Sequence, residues 1–225
     1  MVKSKPWNWS IVNGENAEIW KNPSPESFYY SERWKQQNKK DLLDLGCGIG
    51  RHTILFAMNG FNTYAFDLSQ VALQRTKEWA DKLNLRVDYK QGDMLSLPYK
   101  DNSIDCIFCR NVMSHTDTQG IKQIISELHR VLKKNGECFL TLGSKSAWGF
   151  QQDWPMVDEN TKIRTVPGDP EDGIPHFYAD FNLIKNLFKD FELKSIEHVE
   201  QFSLDNLSDN LPQVWKHYHI LIEKK

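Results

Sequence analysis

Residues 41–67 read Asp41-Leu-Leu-Asp-Leu-Gly-Cys-Gly-Ile-Gly50-Arg-His-Thr-Ile-Leu-Phe-Ala-Met-Asn-Gly60-Phe-Asn-Thr-Tyr-Ala-Phe-Asp67. Leu42, Leu43 and Leu45 form the short apolar run of a parallel strand buried on both faces. Gly46, Gly48 and Gly50 follow at alternate positions. Ile54, Leu55, Ala57 and Met58 then share one helical face, and Gly60 stops that helix. Residues 63–66 resume a strand, with Asp67 at its carboxyl end. Glycine lets a backbone bend sharply and approach a ligand without a β-carbon in the way. In open α/β sheets the ligand lies beyond the carboxyl ends of the strands. A carboxylate there accepts a hydrogen bond from each of two adjacent ribose hydroxyls. The stretch therefore points to a nucleoside cofactor. The dinucleotide fingerprint G-x-G-x-x-G needs a third glycine at position 51, which is Arg51; the pattern is instead D-x-G-x-G-x-G, led by Asp44.

The βα rhythm continues outward. Ser69 is a suitable N-cap for a helix whose inner face is Ala72, Arg75, Thr76, Trp79, Ala80 and Leu83. Residues 86–91 make a third strand, followed by Gly92-Asp93-Met94. Residues 103–109 make a fourth. Ile121, Ile124, Ile125, Leu128, Val131 and Leu132 define a long amphipathic helix closed by Lys133-Lys134-Asn135-Gly136, and residues 137–143 a fifth strand. After an irregular stretch come a helix over Asp180, Leu183, Ile184, Leu187 and Phe188, then two strands at 191–199 and 214–223, joined by a long turn.

The glycine pattern closely resembles motif I of the class I S-adenosylmethionine-dependent methyltransferases. The likeness extends to Leu97-Pro98-Tyr99-Lys100-Asp101-Asn102-Ser103-Ile104-Asp105 ahead of strand four, and to Arg130-Val131-Leu132-Lys133-Lys134-Asn135-Gly136 ahead of strand five. It implies a Rossmann-like α/β fold: a seven-stranded, mostly parallel sheet with an antiparallel last strand and helices on both faces. By the same resemblance Asp44, Gly46, Cys47, Gly48, Gly50, Arg51, Asp67, Leu68, Asp93, Met94 and Asn111 would hold S-adenosylmethionine, with S-adenosylhomocysteine as product. Asp67 would take the ribose hydroxyls, Asp93 the adenine amino group, and Met94 the ring. The Asn-Pro-Pro-Tyr motif of enzymes acting on amides and exocyclic amines is replaced by Arg110-Asn111-Val112, which argues against such acceptors. The nearest type is that of small methyltransferases of tellurite resistance and metabolite modification. The alternatives are a nicotinamide enzyme on a related fold and a non-catalytic S-adenosylmethionine-binding protein.

The chain reads as one methyltransferase domain over 1–225. Residues 1–40 form an aromatic cap, 41–143 the cofactor half, 144–178 a flap insertion and 179–225 the closing helix and strands. The cap carries Trp7, Trp9, Trp20, Phe28, Tyr29, Tyr30 and Trp34, which must lie on the main domain, as packing or as a lid. Two short helices are expected there, at 15–20 and 26–36, broken at residues 22–25. In the flap, residues 162–166 alternate like a strand, Pro167-Gly168-Asp169-Pro170 is turn chemistry, and His176-Phe177-Tyr178 reads as the returning strand. Together they make a hairpin standing over the carboxyl edge of the sheet.

His115 and His176 are the candidate general bases, since imidazole titrates near neutral pH. Trp154 and Tyr178 are candidates for the acceptor pocket. No metal is expected: the sulfonium is already activated, and His217 and His219 lack a third ligand nearby in sequence. His52 and His129 read as surface or capping groups. Cys106 and Cys109 lie an odd number apart on a strand, face opposite ways and cannot chelate one ion.

Net charge is −2, from 28 basic and 30 acidic residues, so no basic field invites nucleic acid or an anionic membrane. There is no spanning apolar run and no signal-peptide core, which suggests a cytoplasmic protein. The expected partner is a small-molecule methyl acceptor; the oligomeric state is left open.

Overall fold

Leu42, Leu43 and Leu45 are wholly buried because β1 (Asp41–Leu45) runs between β2 (Asn62–Asp67) and β4 (Ile104–Cys109), parallel to both. The computed structural model describes Val2, residues 4–202 and residues 214–225. β3 (Val87–Gln91) continues the sheet beside β2, and β5 (Leu132–Ser144) beside β4, both parallel. β10 (Val214–Lys224) inserts antiparallel between β5 and β9 (Phe191–Phe202). The order β3-β2-β1-β4-β5-β10-β9 contains the expected seven strands, and three short strands from residues 156–179 branch from the end of β5 to bring the sheet to ten. The turn expected between the last two strands lies outside the described residues.

Helices cover both faces. α3 (Arg51–Met58) follows the glycine turn and α4 (Gln70–Lys82) follows β2, capped by the Ser69 hydroxyl, which accepts from the Ala72 N–H. The inner face of α4 is Ala72, Leu73, Thr76 and Ala80. Leu83, expected inside, is exposed, because the helix ends at Lys82 and the periodicity ends with it. α5 (Thr118–Val131) buries Ile121, Ile124, Ile125, Leu128 and Val131 in the main core, and Asp117 caps it by accepting from Gly120 at 2.8 Å. β5 begins earlier than the sequence suggests: Leu132 already pairs with Ile104, and Asn135, at φ 60°, forms the bend within the strand. α7 (Phe181–Leu187) is capped by Asp180. Cys47, Cys106, Cys109 and Cys138 are buried free thiols, with Cys106 and Cys109 in separate core clusters.

The cap divides into two parts. α1 (Glu15–Glu18) ends before the break at residues 22–25, and α2 (Pro25–Gln36) starts with proline in its first turn. α2 presses Tyr30 and Trp34 onto Leu42, Phe56, Phe108 and Phe139. A fully buried carboxylate, Glu137 on β5, fastens it: Arg33 donates through Nε (3.0 Å) and Nη2 (2.7 Å), and the Trp34 indole N–H donates at 2.8 Å. His52 is buried, not a surface group; its Nε2 accepts from the Ser24 N–H at 3.3 Å and joins the cap to α3.

The flap contains α6 (Trp148–Gln151), β6 (Met156–Asp158), β7 (Thr161–Ile163) and β8 (Pro175–Ala179). β8 pairs antiparallel with β7, and it also pairs parallel with the last residues of β5, Gly143 and Ser144. The hairpin is thus rooted in the main sheet rather than standing free over its edge. The strand expected at 162–166 stops at Ile163, because Arg164 closes the turn instead, exchanging backbone hydrogen bonds with Ile174 and Gly173.

Candidate active site

The glycine turn leads from β1 into α3. The N–H groups of Gly46 and Cys47 both donate to the Phe66 carbonyl, at 2.7 and 3.0 Å, clamping the turn to the end of β2. Gly48 has φ 55°, and a β-carbon on it would lie 2.5 Å from the Trp9 ring. Both conformation and space therefore require glycine there. Asp67 completes the corner: Oδ2 accepts from the Gly48 N–H at 2.8 Å and Oδ1 from the Ser69 N–H at 2.8 Å. Burial pushes this carboxyl up from its ordinary value, and the backbone donors oppose that shift. A carboxylate has about four acceptor positions. Two are used, so the others remain for a pair of hydroxyls, which fits a ribose.

Asp93 and Met94 follow β3 as expected, and Asp93 Oδ1 accepts from the Leu95 N–H at 3.0 Å. With Leu68 and His115 they border a small cavity of about 40 Å³, walled on the far side by Ser4 and Lys5 of the cap. The cap therefore lies against the cleft at Gly48 and beside Asp93 and Met94. Trp9 covers Gly48, Arg75 donates to the Trp9 and Val12 carbonyls at 3.1 and 2.9 Å, and the Asn8 N–H donates to Pro170 of the flap at 3.1 Å. A larger cavity of about 420 Å³, between α5 and the α7–β9 turn, contains none of the expected site residues.

Asp44, Cys47 and Arg51 have distinct settings around the turn. Asp44 is buried behind the turn, accepting from the Thr53 hydroxyl at 2.6 Å; burial pushes its carboxyl up to about 7. The Cys47 thiol is buried, and it is the backbone N–H of this residue that serves the turn. Arg51 has no carboxylate partner among the described residues. Its guanidinium lies over the Trp20 ring at 5.0 Å and donates to the Asn22 carbonyl at 3.4 Å. Burial and the neighbouring charge of Arg110 pull it down to about 10. Arg110 pairs with Glu26 at 3.4 Å, and Glu26 also meets His219 at 3.4 Å. Asn111 adopts φ 58°, and its N–H donates to the Thr141 hydroxyl at 2.7 Å.

His115 and His176, separated by 60 residues of sequence, come together. Their ring centroids are 4.9 Å apart, and Glu171 stands between them. Glu171 Oε1 is 3.4 Å from His115 Nε2, and Oε2 is 3.3 Å from His176 Nε2. Burial opposes the charge of Glu171, yet the two imidazoles hold its carboxyl well below the usual carboxylate range. Burial pulls His176 below the ordinary imidazole value, against the carboxylate. Burial brings His217 down to about 4, with the neighbouring charges of His219 and Arg110 adding to the shift. The two histidines were legible in the sequence; Glu171 was not, since it is one acid among Asp169, Glu171 and Asp172 in a turn. Arg164 and Trp215 were missed as well. Arg164 pairs with Asp169 at 2.6 Å and lies over the rings of Trp154 and Trp215, at 5.5 and 5.3 Å. Trp154 and Tyr178 line the same region, meeting across Gly149.

A Rossmann-like sheet, a glycine turn and an acid at the end of the second strand define a nucleoside-cofactor-binding α/β protein. Comparison with known proteins narrows this. Residues 42–136 match the family model described as a methyltransferase domain, which supports the class I S-adenosylmethionine-dependent reading of this part of the chain and S-adenosylmethionine as its cofactor. An uncharacterized protein of Methanocaldococcus jannaschii is 32% identical over 113 residues, covering 50% of this chain and 46% of that one. A ubiquinone biosynthesis O-methyltransferase of Rickettsia akari is 29% identical over 104 residues, 46% of this chain and 40% of that one. The chain thus spans about half the length, or less, of these curated relatives. Among solved structures, an S-adenosylmethionine-dependent methyltransferase from Methanosarcina mazei superposes with a TM-score of 0.72 at 19% identity, covering 90% of this chain and 98% of that one. TehB from Haemophilus influenzae superposes with a TM-score of 0.69 at 15% identity, covering 93% and 65%. These likenesses support the fold expected from the sequence and favour it over the nicotinamide alternative. No helix among the described residues is long and apolar enough to cross a membrane.

Proposed function

We propose that the protein transfers a methyl group from S-adenosylmethionine to a small-molecule acceptor enclosed between cap and flap. The observation that carries this reading is the double position of His115. It borders the cavity shared with Asp93 and Met94, and it touches Glu171 of the flap, so the cofactor cleft opens onto a polar cluster. When bound, S-adenosylmethionine supplies a methyl group already activated on a sulfonium.

The chain's residues do the rest. The Gly46–Gly50 turn admits the cofactor backbone closely, Asp67 takes its ribose hydroxyls, and Asp93 with Met94 the adenine. Arg51 and Arg110 place two mutually repelling cations beside the turn, and the anion that relieves them is the cofactor's carboxylate. Asn111 lines the cleft. Trp154, Tyr178 and Trp215 wall the acceptor pocket. Transfer from sulfur to an X–H group of the acceptor breaks the methyl–sulfur bond, forms X–CH3 and releases the proton of X–H. His115 and His176 stand where that proton leaves, and Glu171 stabilises the charge that results.

A small acceptor is favoured by the near-neutral net charge, by the replaced Asn-Pro-Pro-Tyr motif, and by cap and flap jointly closing the cleft. One relative is named for ubiquinone biosynthesis and another as a sterol methyltransferase, both acting on small molecules. The protein acts in the cytoplasm on this reading, without nucleic acid or membrane as partner. The test is incubation with methyl-labelled S-adenosylmethionine and fractionated metabolite pools, read by mass spectrometry. Label in a small molecule supports the reading; label confined to tRNA, DNA or intact protein, or cofactor binding with no transfer to any pool, overturns it.

A further inference from the structure

The geometry points to a metal site: His115 Nε2, a Glu171 carboxylate oxygen and His176 Nε2 bind one divalent transition-metal ion of the zinc type, leaving a coordination position for the methyl acceptor. The three donor atoms lie within 4.8 Å of one another, in a half-buried cluster. Two imidazoles and one carboxylate form a donor set that holds zinc in catalytic sites with an open position.

The separations suit an ion better than direct hydrogen bonds. His115 Nε2 faces Glu171 Oε1 at 3.4 Å and His176 Nε2 faces the other oxygen, Oε2, at 3.3 Å, both beyond the 2.7–3.2 Å of a good N–H···O bond, so either oxygen or both together can serve as the carboxylate ligand. Two ligands each about 2.0–2.1 Å from one ion, at the tetrahedral angle, stand roughly 3.4 Å apart.

The tautomer of His176 gives a second, independent reason. Its Nδ1 lies 3.1 Å from the Ile174 carbonyl oxygen, which can only accept, so Nδ1 carries the proton. In the neutral ring Nε2 is then a bare lone pair aimed at a carboxylate oxygen, acceptor against acceptor. A cation between them removes the conflict. A ring N–H held by a backbone carbonyl is also the usual way a metal-binding histidine is oriented. Arg164 does not substitute for the ion: its Nε is 3.6 Å from Glu171, but its Nη2 is engaged by Asp169 at 2.6 Å.

This inference rests on the reading above for where the acceptor sits, and it replaces imidazole as the means of activation in the loaded protein. An acceptor X–H that coordinates through X loses its proton to solvent on binding, since a coordinated thiol or hydroxyl is far more acidic than a free one. The methyl–sulfur bond then breaks with its electron pair staying on sulfur, and X–CH3 forms. Thiols and hydroxyl compounds are the acceptor classes this arrangement suits. The metal-free expectation drawn from the sequence considered His217 and His219, which are not the residues that converge here.

The test is metal binding by the tag-free, metal-stripped full chain. Co2+ is the spectroscopic probe and Zn2+ the calorimetric competitor. One equivalent of Co2+ per chain, with intense visible absorption of tetrahedral type and displacement by Zn2+, is expected. His115→Asn and Glu171→Gln should each weaken binding by roughly tenfold or more, since losing even an outer partner of a ligand costs that much; His129→Ala should leave it unchanged. No binding by the unmodified protein overturns the proposal whatever the variants do. Binding that survives in His115→Asn and Glu171→Gln overturns it too. Calorimetry with S-adenosylhomocysteine on the same metal-free protein separates the two readings: cofactor binding without metal binding sinks only the metal site, and metal binding without cofactor binding sinks only the methyl transfer.

Discussion

The cofactor corner and the flap cluster are built in opposite ways. Asp44, Gly46, Gly48, Gly50 and Asp67 lie within one strand–turn–helix–strand unit, where backbone bonds 2.7–3.0 Å long from Gly46, Cys47 and Gly48 set the geometry. His115, the flap residues Arg164, Glu171 and His176, and Trp215 come from three separate stretches of chain and meet only because β8 pairs with the end of β5 and β10 inserts beside it. Backbone conformation makes the first; sheet closure makes the second. Substitutions at the corner should therefore act on cofactor affinity, and substitutions in the flap on what happens after binding.

The largest expected effect tests whether the cap belongs to the rigid corner. Glu137→Ala removes the carboxylate shared by Arg33 and Trp34 and leaves a buried indole N–H without its acceptor. Breaking such a buried pair costs about 3–5 kcal/mol. Urea denaturation should show a loss in the lower part of that range, because Arg33 is partly exposed. A loss below about 1 kcal/mol, the scale of a surface ion pair, would mean the cap is held elsewhere.

Asp67→Ala comes next. Losing an ionised acceptor costs about 1.5–3 kcal/mol, so S-adenosylhomocysteine should bind roughly tenfold or more weakly in calorimetry. Glu171→Gln should leave that affinity within about twofold while turnover falls by about tenfold or more. Equal losses of affinity in both variants would erase the distinction between corner and flap.

Asp44 supplies a pH signature for the corner alone. Its folded-state value, about 7, lies above the 3.8 of the free carboxyl. Between those values the folded protein holds a proton that the unfolded chain has lost. The contribution is therefore complete below about pH 4, declines as pH rises towards 7, and is flat above that. The slope reaches at most about 1.4 kcal/mol per pH unit. Asp44→Asn should flatten the wild-type decline in melting temperature over this window. Parallel wild-type and variant curves would show that Asp44 titrates normally. The smallest effect is expected from Trp9→Ala. Opening the ring that covers Gly48 should change cofactor affinity only a few-fold, about 1 kcal/mol, and speed both association and release in stopped-flow fluorescence.

How much was legible follows the same division. The βα rhythm, the glycine turn and Asp67 could be read because spacing of glycines and periodicity of apolar residues are local properties, whereas the arrangement of the strands in the sheet came from the family resemblance. The burial of His52 and the early start of β5 were not, because each depends on a partner far along the chain: Ser24 for His52, Ile104 for Leu132. Glu171 was invisible for a sharper reason. Turn chemistry explains Asp169, Glu171 and Asp172 equally well, and only the return of β8 selects Glu171 to face two histidines.

By itself, then, the sequence determined the strands of the core and a glycine corner with an acid at the end of the second strand, the pattern expected of a nucleoside-cofactor site, since those depend on backbone freedom and on patterns a few residues long. Tertiary structure alone decided that Trp9 covers Gly48, that Arg51 faces no acid among the described residues, and that His115, Glu171 and His176 share one point in space. Those outcomes depend on where distant segments dock, and docking is settled by burial and strand pairing summed over the whole chain.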